Sequence, residues 1–211
     1  MSFTGFVRKY FGWFITLVVK GIANINWKNR RPITAQQSAE IAAKLKDNYF
    51  LICTHSRAHL ATYSINLSDL VLTHKWGFYD HCLMNLEDAG TPMLCEATIF
   101  RGVNFDTFAT IFTDVDAVAL LKPKSMVLED WTLMLDRAKS DVGKPYDTLY
   151  DFAQANKLSC IELVRNCLQA DPNYATNFAN FEAMLVKYGE LTPQMLYDCP
   201  DFEVVWEVRV P

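Results

Sequence analysis

The stretch Lys157-Leu158-Ser159-Cys160-Ile161-Glu162-Leu163-Val164 passes from a polar turn into an amphipathic helix and puts a cysteine at the point of change. A thiol there meets backbone N–H groups that lack helical partners and the positive end of the helix dipole. Both favour thiolate, the reactive form. The same amides can hold a developing oxyanion. A cysteine in an apolar helix is also a common small buried hydrophobe, so position alone leaves a nucleophile and a core residue both open. Glu162, in the first turn, reads as an acid that complements the dipole rather than as a catalytic group.

A nucleophilic thiol needs a base, and the chain holds four histidines, His55, His59, His74 and His81. His81 leads the apolar run Cys82-Leu83-Met84-Asn85-Leu86, a strand pattern that would present the ring rigidly. A third polar group commonly orients such a ring through its other nitrogen. Glu96 stands in the otherwise apolar run Met93-Leu94-Cys95-Glu96-Ala97-Thr98-Ile99, where a lone carboxylate needs a partner. If the two strands are neighbours, Glu96 meets His81 and fixes its tautomer.

Outward from these residues, spacing predicts helices over Ala35 to Lys46, Val127 to Lys139, Cys160 to Gln169 and Phe178 to Tyr188. Strands are expected over Tyr49 to Cys53, Leu70 to Thr73, Asp80 to Leu86, Pro92 to Phe100, Ala117 to Lys122 and Phe202 to Val210. This order gives an α+β fold, an antiparallel sheet packed against helices. Asp114 and Asp116, and Asp141 and Asp147, read as solvated turns rather than paired catalytic carboxylates.

The chain has 211 residues, 51% of them apolar, enough to bury a large core, and a net charge of −4. That charge gives no basic face for nucleic acid, so nucleic acid is not an expected partner. The charge is uneven: Arg8, Lys9, Lys20, Lys28, Arg30 and Arg31 all precede the first acidic residue, Glu40. A composition shift over Asn26 to Ile33 therefore separates a basic, apolar N-terminal segment, residues 1–31, from a domain over residues 32–211.

Within that segment, Phe6 to Trp27 suits a helix lying in a membrane interface as well as one packed on protein. The apolar run Tyr10 to Val19 falls short of the roughly 18 to 20 residues of a transmembrane helix. It ends at Lys20 without a small-x-small cleavage site. Six cysteines without a CxxC pair read as reduced thiols, so the expectation is a cytoplasmic protein, peripheral at a membrane if the segment binds lipid. His55 and His59 are four apart but Ser56, Arg57 and Ala58 fill the gap, so neither a metal site nor a cofactor is expected.

Several short motifs occur in a fixed order: Leu67-Ser68-Asp69-Leu70-Val71-Leu72, Asp80-His81-Cys82-Leu83-Met84, Cys95-Glu96-Ala97 with Gly102-Val103, Gly143-Lys144-Pro145-Tyr146-Asp147, Ser159-Cys160-Ile161-Glu162-Leu163-Val164, and Leu191-Thr192-Pro193-Gln194-Met195-Leu196. This order resembles the permuted papain-like amidases, the YiiX-like branch of the NlpC superfamily, over roughly Leu67 to Phe202. The resemblance implies a circularly permuted papain-like (NlpC-type) fold whose site is read histidine first and cysteine last. His81, Glu96 and Cys160 then match the family's base, orienting acid and nucleophile. Ser68 stands where the family usually has a glycine at a strand entry, and Ile161 where it often has serine. Trp76 and Tyr79, just before His81, and Tyr146 are the expected substrate-lining side chains, with packing as the other reading.

The activity implied is a cysteine amidase or peptidase acting on a peptide, isopeptide, cell-wall or lipid-linked amide through an acyl-enzyme, without a cofactor. Two other functions fit the same residues. One is a membrane-associated thiol acyltransferase or lipid hydrolase held by residues 6–27; the other is an inactive interaction protein in which Cys160 is a relic.

Overall fold

A computed structural model describes residues 32–46, 48–56, 60–88, 91–112, 115–148, 152 and 155–210. The N-terminal segment, including the interfacial helix expected over residues 6–27, lies outside the described residues, as do His59 and Asp114. In chain order the described residues form α1 (Ala35–Leu45), β1 (Phe50–His55), α2 (Leu60–Thr73), β2 (His81–Asp88), β3 (Thr91–Thr98), β4 (Gly102–Asp106), α3 (Phe108–Ile111), β5 (Ala117–Pro123), α4 (Leu128–Asp141), α5 (Cys160–Leu168), α6 (Tyr174–Asn177), α7 (Ala179–Tyr188), α8 (Pro193–Asp198) and β6 (Phe202–Arg209).

The strands make one antiparallel sheet in the order β4-β3-β2-β1-β5-β6. β1 is buried at every position, which explains why it reads as a continuous apolar run: both of its faces are covered. Strand alternation sends Leu51 and Cys53 to one face and Phe50 and Ile52 to the other. On the first face Cys82, Met84, Cys95, Ala97 and Ala119 pack against Trp131, Met134 and Ala138 of α4 and Leu163, Val164 and Cys167 of α5. On the second, Ile52, Leu83, Leu94 and Leu120 meet Ile41 and Leu45 of α1, with Phe112 and Val115.

Local signals set the helix starts. Thr34 caps α1 in a reciprocal box with Gln37, in which Thr34 Oγ1 accepts from the Gln37 amide at 3.2 Å and Gln37 Oε1 from the Thr34 amide at 2.7 Å. α5 has only nine residues, and isolated helices below about 12 residues are marginal in water. Its place therefore depends on packing, where each fully buried Leu, Ile or Val contributes roughly 1.5 to 3 kcal/mol.

Three expectations are corrected. Leu70 to Thr73 is not a strand, and Ser68-Asp69 is not a strand entry: both lie in α2. Among its described side chains, Asn66 and Asp69 are buried, Leu70 and Val71 face solvent, and Leu72 packs on the core. Asp69 accepts a hydrogen bond from Thr192 at the start of α8 and presses on Gly77, where a Cβ would lie 2.1 Å from Asp69 Oδ2.

β4 is a strand that its polar residues Asn104 and Asp106 conceal; it is half-buried at the sheet edge. The turn into it is fixed by Gly102, which has φ +66° and where a Cβ would stand 2.2 Å from the Lys144 carbonyl oxygen. Asp116, Asp141 and Asp147 are buried rather than solvated. Asp141 takes Lys144 Nζ at 2.6 Å and Arg137 Nε at 3.7 Å, so its charge is compensated inside the protein.

Candidate active site

Cys160 is the first residue of α5 and is buried. Ser159 caps the helix: its Oγ accepts from the Glu162 amide at 3.4 Å, and Glu162 Oε2 accepts from the Ser159 amide at 2.7 Å. Glu162 is thus half of a capping box. Burial outweighs its hydrogen bonds to Ser159 and lifts its pKa to about 7, with the charges of Asp147 and Cys160 adding to the rise. The amides of Cys160 and Ile161 stand in the first turn of the helix, where amides lack intrahelical partners.

His81 opens β2, and the neighbouring strand β3 carries Glu96. His81 Nε2 lies 3.0 Å from Glu96 Oε2; the carboxylate is buried, and the imidazole side chain is one quarter exposed. The same ring acts on the Cys160 sulfur, each favouring the charged form of the other. With Nε2 engaged by Glu96, Nδ1 is the nitrogen left for the sulfur. The second oxygen of Glu96, Oε1, accepts from Arg101 Nη2 at 3.0 Å.

The electrostatics separate Cys160 from the other thiols. All six cysteines are free and buried. Burial pushes Cys53, Cys82 and Cys167 well up, and Cys95 and Cys199 to about 12. Cys160 alone moves down, well below the ordinary thiol range. The hydrogen bond from the Cys82 thiol contributes most; burial opposes it, and the hydrogen bond and charge of His81 add to it. For His81, burial disfavours the imidazolium, but the hydrogen bonds and charges of Cys160 and Glu96 outweigh it and hold the pKa well above the usual imidazole range. Both directions favour a thiolate beside an imidazolium over the neutral pair, with burial keeping the Cys82 thiol protonated.

The expected substrate-lining residues fall in different places. Tyr79 is fully buried, donates its hydroxyl to Glu207 and lies tilted against Tyr197 with ring centroids 4.8 Å apart, so it belongs to the core rather than to a cleft. Trp76 is 55% exposed in the segment leading to His81. Tyr146 is half-buried against the core cluster that holds Cys160. Its turn is tied to the site by two backbone bonds, Leu158 N–H to the Pro145 carbonyl at 3.1 Å and Val103 N–H to the Lys144 carbonyl at 2.9 Å.

Cys82 and Arg101 were not singled out from sequence. Cys82 looks like a core residue of an apolar strand, and the only sign of Arg101 is a cation five residues beyond a carboxylate that needs one. Among the described residues no group of three or more His, Cys, Asp or Glu side chains is disposed to hold a metal ion. No described helix is long and apolar enough to cross a membrane.

Comparison with known proteins agrees with this architecture. A solved structure described as the metalloprotein yiiX from Escherichia coli O157:H7 superposes with a TM-score of 0.58 at 18% identity, covering 76% of this chain and 97% of that one. At that identity the likeness speaks for the permuted papain-like fold. No curated protein sequence matches the chain. A family model for permuted papain-like amidase enzymes, YaeF/YiiX, matches residues 51–206, which take in β1 through most of β6 together with Cys160, His81 and Glu96. The chain belongs to the permuted papain-like amidase family YaeF/YiiX, the C92 family.

Proposed function

We propose that the protein hydrolyses an amide bond, in a peptide or an isopeptide linkage, through an acyl-enzyme on Cys160. The observation that carries this reading is the Cys160–His81–Glu96 arrangement at a helix N-terminus, with the one lowered thiol among six. The thiolate attacks the carbonyl carbon, and the oxyanion is held by the first amides of α5. The imidazolium of His81 gives its proton to the leaving nitrogen as the C–N bond breaks. The neutral ring then takes a proton from water, hydroxide adds to the thioester, and the carboxylic acid leaves as the thiolate returns. Glu96 holds Nε2 and so keeps Nδ1 turned to sulfur.

Trp76, on the segment that leads to His81, is the aromatic side chain this reading offers to substrate. The test is to incubate wild type and Cys160→Ala with acylated peptides, cell-wall fragments and phospholipids and to look for a thioester on residue 160 by mass spectrometry. An acyl adduct from an amide substrate, absent in the variant, is expected. Adducts from phospholipid alone would move the assignment to lipid acyl transfer, and turnover by Cys160→Ala equal to wild type would end it.

A further inference from the structure

Glu96 uses its two oxygens on two different partners: Oε2 faces His81 Nε2 at 3.0 Å, and Oε1 accepts from Arg101 Nη2 at 3.0 Å. A carboxylate held at one oxygen can still rotate about its last bond, whereas one held at both has its plane fixed. Arg101 is itself anchored, because the same nitrogen pairs with Asp106. Asp106 in turn accepts from Asn104 Nδ2 at 2.9 Å and from the Thr107 amide at 3.2 Å. The residue next to Arg101 is Gly102, whose turn is set against the Lys144 carbonyl. A chain of bonds thus runs from the sheet edge, Asp106 to Arg101 to Glu96, and ends at the His81 ring.

We propose that Arg101 is a positioning residue for the Cys160–His81 pair, acting through Glu96. The inference rests on the function proposed above. Arg101 is 47% exposed, and an exposed ion pair contributes little to stability by itself, so its weight lies in what it holds. It also supplies a positive charge. The ionisable groups around the His81–Glu96 pair are Cys160 from α5, Cys82 on β2, Cys95 on β3, and Arg101 with Asp106 from the turn into β4 and β4 itself. Removing the cation leaves the negative charge of Glu96 and Asp106 less compensated, which favours the protonated forms of His81 and Cys160 alike.

The test uses the full chain and needs no substrate. Two signals are followed in wild type, Arg101→Met and Arg101→Lys: the His81 ring N–H in nitrogen-edited NMR, and the pH profile of Cys160 alkylation by iodoacetamide. In Arg101→Met the ring N–H should exchange with water about tenfold faster, and the acid limb of alkylation should move up by roughly half a pH unit. Arg101→Lys should restore the limb, since the charge returns, but only part of the N–H protection, since one ammonium does not reproduce the planar fork. If Arg101→Met does not fold, Asp106→Asn reads the same relay, with a few-fold faster exchange expected. Wild-type behaviour of both signals in Arg101→Met, or of exchange in Asp106→Asn, overturns the inference and leaves the proposed function standing. An ordinary thiol titration of Cys160 in the wild type itself defeats the proposed function and this inference together.

Discussion

His81 Nε2 lies 3.0 Å from the buried carboxylate of Glu96, across adjacent antiparallel strands. Neither residue is explained without the other: the carboxylate needs a charge partner in an apolar strand, and the ring needs one nitrogen fixed if the second is to face the thiol. Replacing Glu96 by Gln keeps a hydrogen-bond acceptor and removes the charge. The His81 pKa, raised in part by Glu96, should then fall. The thiolate–imidazolium pair is lost as pH rises through the His81 pKa, so its window should close from the alkaline side. An NMR titration of the His81 ring reads this directly, and turnover should drop by roughly a hundredfold or more. An unmoved His81 titration would contradict the assignment of Glu96.

Cys82 is predicted to matter to a site it does not attack from. Its thiol, kept neutral by burial, makes the largest contribution to lowering the Cys160 pKa. Cys82→Ala should raise that pKa, since the thiolate loses a hydrogen-bond donor. Alkylation of Cys160 below the ordinary thiol range should slow about tenfold, with a similar melting temperature.

Glu162 gives a pH signature in stability. Its folded pKa, about 7, stands above its ordinary value of 4.5, so the folded state holds the proton more tightly than the unfolded chain. That contribution is present below about pH 4.5 and is lost as pH rises towards 7, by up to about 3 kcal/mol. Asp69, also raised to about 7 by burial, acts in the same direction. Glu162→Gln should remove its share of the decline and keep the capping box, as Gln37 does in α1. Urea unfolding of both proteins from pH 4 to 8 checks it; parallel curves would contradict the raised pKa.

Gly102→Ala should cost about 2 to 4 kcal/mol, because it adds a left-handed backbone penalty to a collision with the Lys144 carbonyl. Gly143, also at positive φ but with nothing within 4 Å of an added Cβ, should lose less when changed to Ala. Denaturant midpoints of the two variants measure the difference.

The sequence made Cys160, His81 and Glu96 conspicuous because each breaks its local pattern: a thiol at a helix start, a histidine at a strand start, a carboxylate inside an apolar run. Cys82 breaks no pattern, and Arg101 meets Glu96 only once the turn at Gly102 has folded. α2 escaped notice in part because two of its described buried residues, Asn66 and Asp69, are polar. Satisfying Asp69 requires Thr192, which is distant in sequence. Tyr79 looked like a cleft residue from its place before His81, but its hydroxyl finds Glu207 on a strand near the end of the chain. Patterns within one element were legible; pairings between distant elements were not.

The central claim is that one thiol of six, Cys160, is lowered into the thiolate form by its neighbours, with His81 as its charge partner. The most direct measurement is the pH dependence of iodoacetamide alkylation, resolved by cysteine with mass spectrometry, in wild type and His81→Ala. Cys160 is predicted to react alone in the folded protein, with an acid limb well below the ordinary thiol range, and His81→Ala should move that limb upward. A Cys160 that titrates at or above the ordinary thiol value, or whose limb is the same without His81, would contradict the account.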